Sequence, residues 1–163
     1  MQLVIHTDGG ARGNPGPAAV GVAIEECQCV SASVCHEKKR KEIVSFGKLI
    51  GETTNNVAEY CAVIAALQEI KNQIYKIKKT HSTSSGQADQ RSKMEIQFYL
   101  DSTLVVNQIN GLFKVKDATL RQLLSQVRIL EQEIGGAIRY HYVPREYNHR
   151  ADLLVNKALD ENS

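Results

Sequence analysis

The chain has 163 residues, of which 42% are hydrophobic and 23% charged, and its formal net charge is +2. These values are typical of one globular domain with a single sizeable core, spanning residues 1–163. No apolar run approaches the roughly 18 residues that a membrane span needs, and the start MQLVIHTD lacks the regions of a signal peptide. We therefore expect a cytoplasmic protein with no membrane partner.

The first part of the chain is predicted to form three antiparallel strands. Residues 3–7, 18–26 and 42–50 are rich in β-branched and aliphatic residues. The stretch TDGGARGNPGP (7–17) contains four glycines and two prolines, and it is predicted to be a shaped loop with Asp8 at its head. The connection at 27–41 is long for a hairpin and is predicted to project from the sheet.

The remainder is predicted to alternate helices and strands. The first helix is predicted to be capped by Thr54 or Asn55, and the polar segment 78–93 is predicted to be a mobile loop. A strand at 94–100 precedes Asp101, followed by a short helix (102–111), a leucine-striped helix capped by Asp117, a strand at 137–143, and a last helix capped by Asn148. This order predicts an α/β fold with a mixed five-stranded sheet, three strands antiparallel and two parallel, with helices on both faces.

The cysteines give no clear metal site. Cys27, Cys29 and Cys35 have a spacing that fits no common zinc pattern, so we interpret them as structural or incidental thiols. Cys61 falls among small and apolar residues of the first predicted helix and is expected in the core.

Four carboxylates occupy positions that the topology can bring together. Asp8 and Asp101 end the first and fourth strands, Glu59 lies early in the first helix, and Asp152 lies in the first turn of the last helix. If strands one and four are parallel neighbours, the two aspartates emerge at the same edge of the sheet. Carboxylates in a cluster raise one another's pKa, and a hard cation such as Mg²⁺ or Mn²⁺ compensates for this. In isolation each carboxylate also has a structural interpretation, as a turn former, a surface residue, a cap or a partner of a helix dipole.

Four sequence blocks together resemble type 1 ribonucleases H, in order and over nearly the whole chain. They are TDGGARGNPGPAAVG (7–21), TTNNVAEY (53–60), LDSTLVVNQING (100–111) and VPREYNHRADLLVNKALD (143–160). The chain is similar to the prokaryotic branch that lacks the basic protrusion gripping the hybrid, since only KVKDATL separates the two middle helices. The resemblance implies a ribonuclease H-like fold and an endonuclease that cuts the RNA strand of RNA–DNA hybrids.

The resemblance also implies a set of site residues. The metal-binding catalytic carboxylates would be Asp8, Glu59, Asp101 and Asp152, holding two Mg²⁺ or Mn²⁺ ions when substrate is bound and leaving 5′-phosphate and 3′-hydroxyl ends. Small residues and amides beside them match positions that contact the hybrid and suit the reading of a 2′-OH: Gly9, Gly10, Asn14, Asn55, Asn56 and Ser102. Thr54 matches a position that helps to hold a DNA phosphate. Capping and turn formation are the structural alternative for the asparagines.

Two departures from the family pattern have consequences for catalysis and binding. The stretch HYVPREYNHRAD is too tight for the flexible loop that carries a histidine in many relatives, and His149, Arg145 or Glu146 is a candidate to replace it. The basic turn at 38–41, Lys114 and Lys116 are candidates to replace the missing protrusion, because phosphate contacts dominate hybrid affinity. Arg145 is also expected to bind substrate.

Other functions fit parts of the sequence. A nuclease of the same fold that cuts double-stranded RNA or junctions, and a non-catalytic hybrid-binding module, both remain open. A sugar-kinase-like or actin-like ATPase needs two such domains, and the glycine stretch lacks the Gly-Lys-Ser/Thr ending of a P-loop. The expected partner is an RNA–DNA hybrid, with double-stranded RNA as a further possibility and no obligate protein partner.

Overall fold

The sheet is built from five strands in the order β3-β2-β1-β4-β5. The structure, a computed structural model, describes residues 2–27, 40–80 and 94–161. Strands β1 (Gln2–Ala11), β2 (Gly16–Cys27) and β3 (Arg40–Thr53) form an antiparallel meander. Strands β4 (Glu95–Leu100) and β5 (Ala137–Tyr142) add to the other side of β1 as parallel neighbours. The first and fourth strands are thus parallel neighbours, which is the condition on which the expected meeting of Asp8 and Asp101 depended.

The helices follow the predicted order and lie on both faces of the sheet. They are α1 (Asn55–Thr80), α2 (Thr103–Ile109), α3 (Ala118–Ile134) and α4 (His149–Asp160), with a short 3₁₀ helix at Arg145–Tyr147. Helices α1, α2 and α3 contribute to the larger core, which also takes Leu3 and Ile5 of β1. Helix α4 packs on the opposite face, where Val155, Ala158 and Leu159 form a smaller cluster with Ala19 of β2.

Two of the predicted helix caps, Thr54 and Asp117, are confirmed. Val57 N–H donates to Thr54 Oγ1 over 3.4 Å, and Leu120 N–H donates to Asp117 Oδ1 over 2.9 Å. Helix α2 is capped by Ser102, whose Oγ accepts from Val105 N–H over 3.3 Å. Asn148 occupies the predicted N-cap position of α4, but its side chain makes no capping hydrogen bond to that helix. That side chain has distant partners instead.

The predicted loop at 7–17 is mostly strand. Strand β1 continues through Asp8, Gly9 and Gly10 to Ala11, which pairs with Ala18 of β2. Only residues 12–15 form the turn. The glycines disfavour a strand locally, but long-range packing requires them there.

Other boundaries moved by smaller amounts. Residues 78–80, predicted to begin a mobile loop, belong to α1, and residues 81–93 lie outside the described part. The connection predicted to project from the sheet was 27–41, but residues 27, 40 and 41 belong to strands. Residues 28–39, with Cys29 and Cys35, lie outside the described part, so the rest of that prediction is not tested. Cys27 is buried at the end of β2, and Cys61 is half-buried on α1. Among the helices described, none is long and apolar enough to cross a membrane.

Candidate active site

Three carboxylates meet where β1, β4 and α1 approach one another. One oxygen each from Asp8, Glu59 and Asp101 lies within 4.8 Å of the others. Asp8 is on β1, and Asp101 directly follows β4. Because these strands are parallel neighbours, their side chains emerge at the same end of the sheet. Of the four acids expected to come together, these three do so within 4.8 Å.

Glu59 reaches Asp8 because α1 lies on β1 at backbone contact. A Cβ added to Gly9 would be 2.1 Å from the carbonyl carbon of Ala58 and 2.3 Å from the backbone nitrogen of Glu59. Any residue larger than glycine would therefore push the helix and its carboxylate away from Asp8. We predicted Gly9 as a substrate contact; the structure gives it this packing role, and the substrate contact stays a prediction.

The electrostatics of the cluster favour the protonated forms of Asp8 and Glu59 in the absence of a cation. Burial, and next the charges of Asp101 and Asp152, raise the pKa of Asp8 to about 7. Burial, and next the charges of Asp8 and Asp101, raise the pKa of Glu59 well above its usual range. The Oε2 atom of Glu59 is buried and has no hydrogen-bond partner in the described part of the chain.

This donor set fits a hard divalent cation. All ligand atoms are carboxylate oxygens, which suit Mg²⁺ or Mn²⁺ better than zinc. A buried oxygen without a hydrogen bond is costly, and a bound cation would satisfy it. Such an ion would also offset the repulsion between the three acids.

Asp152 stands beside the other three acids. It lies in the first turn of α4, and its Oδ1 accepts a hydrogen bond from Arg145 over 2.5 Å. Its charge raises the pKa of Asp8, although Asp152 is not within the 4.8 Å group. The same contact raises the pKa of Arg145. The site therefore consists of three converging carboxylates and a fourth that an arginine holds nearby.

Two glycines in the middle of strands set the position of α4 and therefore of Asp152. A Cβ on Gly21 would lie 2.2 Å from the carbonyl oxygen of Ala151, and one on Gly47 would lie 2.2 Å from that of Leu154. Neither glycine was predicted from the sequence to have this role. A glycine inside a strand pattern, which signals close approach of another backbone, is the feature that points to them.

The amides predicted to contact substrate join the β1–β2 turn to the start of α1. Asn14 Oδ1 accepts from Asn55 N–H over 3.1 Å, and Asn55 Oδ1 accepts from Ala11 N–H over 2.8 Å. These contacts give both asparagines a structural role in joining the two segments, and their contacts with substrate stay predictions. Asn14, Asn55 and Asn56 are exposed, so their side chains are accessible for other contacts as well.

The other predicted substrate residues are placed individually, and their contacts with substrate stay predictions. Ser102, next to Asp101, is half-buried and caps α2. Lys114 and Lys116 are exposed between α2 and α3. His149, the first residue of α4, and Glu146 of the 3₁₀ helix are also exposed.

Comparisons with known proteins agree with the sequence resemblance. The chain matches the RNase H family over residues 1–160. It is 36% identical over 160 residues to the bifunctional protein Rv2228c of Mycobacterium tuberculosis, an alignment that covers 98% of this chain and 36% of that protein. Ribonuclease HI of Halobacterium salinarum is 35% identical over 156 residues, with 96% of this chain and 63% of that protein covered. The chain thus spans only about a third to two thirds of these relatives.

Solved structures give the same result for the fold. RNase H1 of Halobacterium salinarum NRC-1 superimposes with a TM-score of 0.72 at 34% identity, covering 99% of both chains. LC11-RNase H1, solved in complex with an RNA/DNA hybrid, has a TM-score of 0.74 at 36% identity and covers 98% of both chains.

Proposed function

Because the chain belongs to the RNase H family, we propose that it is an endonuclease that hydrolyses the RNA strand of RNA–DNA hybrids. The observation that carries the proposal is the convergence of Asp8, Glu59 and Asp101 within 4.8 Å at one end of the sheet. A hybrid-bound structure of a relative at 36% identity supports the choice of substrate.

We further propose that the site works with two divalent cations, Mg²⁺ or Mn²⁺, held by Asp8, Glu59, Asp101 and Asp152. Bound cations would supply the positive charge that makes water a better nucleophile and offsets the charge on the departing oxygen. Hydrolysis at the bond between phosphorus and the 3′ oxygen gives 5′-phosphate and 3′-hydroxyl ends. The protein itself forms no covalent intermediate in this scheme.

The side chains around the acids position the reacting groups. Arg145 and Asn156 both hydrogen-bond Asp152, so the orientation of this carboxylate is set before substrate arrives. Arg145 is exposed and carries donors beyond the one that Asp152 accepts, so it is placed to contact a phosphate as well. His149 is three residues before Asp152 and exposed, which suits a role in proton transfer to or from solvent.

Strand choice follows from the exposed amides around the site. Discrimination of RNA from DNA requires a contact to the 2′-OH in the shallow minor groove. Asn14 and Asn55 are fixed by backbone contacts, and Asn56 is exposed beside them. An amide can both donate to and accept from a hydroxyl group, and a side chain that is already ordered loses less entropy on binding.

A substrate panel tests the proposal. The purified protein is assayed with matched hybrid, double-stranded RNA and double-stranded DNA, each labelled on one strand, with Mg²⁺, with Mn²⁺ and with EDTA. We expect metal-dependent cleavage of the RNA strand of the hybrid, and loss of cleavage in Asp8→Asn and Asp101→Asn with retention of the fold by circular dichroism. Hybrid binding without cleavage would instead indicate a non-catalytic module, and preferential cleavage of duplex RNA would indicate a different nuclease.

A further inference from the structure

We propose that Asn148 is a positioning residue that fixes the carboxylate of Asp101 relative to the segments that carry Asp8 and Asp152. This inference rests on the proposed function. Asn148 has no exposed surface and lies between the 3₁₀ helix and α4. Its side chain does not cap the helix that it precedes. A fully buried amide is stable only when its donors and acceptor are satisfied, and its partners here come from other parts of the chain.

The amide nitrogen of Asn148 joins two segments of the active site. Nδ2 donates to the backbone oxygen of Thr7 over 2.9 Å and lies 3.4 Å from Oδ1 of Asp101. Thr7 directly precedes Asp8. The NH₂ group has two hydrogens, so it can serve the carbonyl and the carboxylate together.

The backbone of Asn148 reaches the third segment. Its carbonyl oxygen accepts from the amide N–H of Asp152 over 3.2 Å, in the first turn of α4. One residue thus contacts the strand that carries Asp8, the carboxylate of Asp101 and the helical turn that carries Asp152. No other residue in the described part of the chain hydrogen-bonds the side chain of Asp101.

The chemistry of its neighbours fixes which way the amide of Asn148 faces. A flipped amide would place Oδ1 against two acceptors, the Thr7 carbonyl and the Asp101 carboxylate, which is repulsive. With NH₂ toward those acceptors, Oδ1 faces Nδ1 of His6 at 3.3 Å. His6 therefore presents an N–H at Nδ1, and its ring is stacked on Tyr99 with centroids 5.3 Å apart.

Repulsion within the cluster gives the Asn148 contact its importance. Asp101 stands close to the carboxyl groups of Asp8 and Glu59, and when these are ionised both repel it. A donor on its Oδ1 opposes this motion and leaves the other oxygen for a cation. Partners that orient a metal-binding carboxylate typically change metal affinity by 10- to 100-fold when they are removed.

The test is a double-mutant cycle in which EPR measures Mn²⁺ binding by the full chain without substrate. All four proteins are measured at one pH. We expect Asn148→Ala to weaken Mn²⁺ binding by about tenfold in the wild-type background. In the Asp101→Asn background the same substitution is expected to change binding by less than about twofold, because the residue through which it acts has lost its charge.

Controls separate positioning from general destabilisation. Asp117→Ala removes the cap of α3, a helix that carries none of the four acids, and its Mn²⁺ affinity should equal that of the wild type despite a lower melting temperature. If Asn148→Ala does not fold, Asn148→Ser serves instead, because its single hydroxyl cannot serve both acceptors.

An unchanged Mn²⁺ affinity, or an equal loss in both backgrounds, would overturn the inference. A wild-type protein that binds Mn²⁺ but does not cleave hybrid would refute the proposed function and leave the result for Asn148 intact.

Discussion

Replacing Asp8 by asparagine should stabilise the metal-free protein at neutral pH. Asp8 is only 6% exposed, and burial with neighbouring charges raises its pKa from an ordinary 3.8 to about 7. In the unfolded chain the group ionises near its ordinary pKa, whereas in the folded chain it holds its proton until about pH 7. Between pH 3.8 and about pH 7 the folded state binds more protons than the unfolded state, so the free energy of unfolding falls as pH rises.

The magnitude follows from the size of the pKa change. A rise from 3.8 to about 7, at about 1.4 kcal/mol per pKa unit, corresponds to about 4 kcal/mol of destabilisation once Asp8 is ionised. An asparagine side chain cannot ionise. The free energy of unfolding of Asp8→Asn should therefore match that of the wild type near pH 4 and exceed it by up to about 4 kcal/mol near pH 8. This difference corresponds to roughly 8–16 °C in melting temperature for a chain of this length.

The assay is urea denaturation of the wild type and of Asp8→Asn in EDTA from pH 4 to pH 8. The difference in their free energies of unfolding is plotted against pH. Histidines and other groups titrate in both, so their contributions largely cancel in the difference. Asp117→Asn is the matched control, because it removes an exposed carboxylate and asparagine is also a good N-cap. Added Mn²⁺ should make the wild type more stable than Asp8→Asn at pH 8, since the ion stabilises the ionised cluster of the wild type. A difference that does not change between pH 4 and pH 7 would refute the electrostatic argument.

Further substitutions test the packing, the arginine and the lysines. Gly9→Ala should abolish hybrid cleavage and lower the free energy of unfolding in urea by several kcal/mol, because its Cβ would lie 2.1 Å from the backbone of α1. Gly10→Ala should lose less activity and stability, because its Cβ would lie 3.1 Å from a single side-chain methyl. Arg145→Ala should lower kcat/KM about tenfold while its melting temperature changes little, because an exposed ion pair contributes about 0–1 kcal/mol; a large melting shift with normal kinetics would contradict this. The pair Lys114→Glu and Lys116→Glu should weaken hybrid binding and flatten its salt dependence, measured by fluorescence anisotropy, and an unchanged slope would rule out their phosphate contacts.

The sequence by itself determined the order of elements and the places of the acids. The alternation of β-branched runs with helical apolar stripes is a local property, so strands and helices were recognisable from short windows. Asp8 and Asp101 follow apolar strand residues, so both acids were expected at one edge of the sheet if β1 and β4 are parallel neighbours. That pairing is observed, and Asp8 and Asp101 meet as expected, together with Glu59 of α1.

Only the tertiary structure decided what the small and polar residues around the acids do. The glycines after Asp8 favour a loop locally, yet they lie in β1 because the backbone of α1 packs against Gly9. Asn148 has the position of a helix cap, but its side chain bonds Thr7 and Asp101, which are 141 and 47 residues away. The raised pKa of Asp8 likewise comes from burial and from charges on other elements. Such features depend on which surfaces meet after folding, and periodicity along the chain carries no information about that.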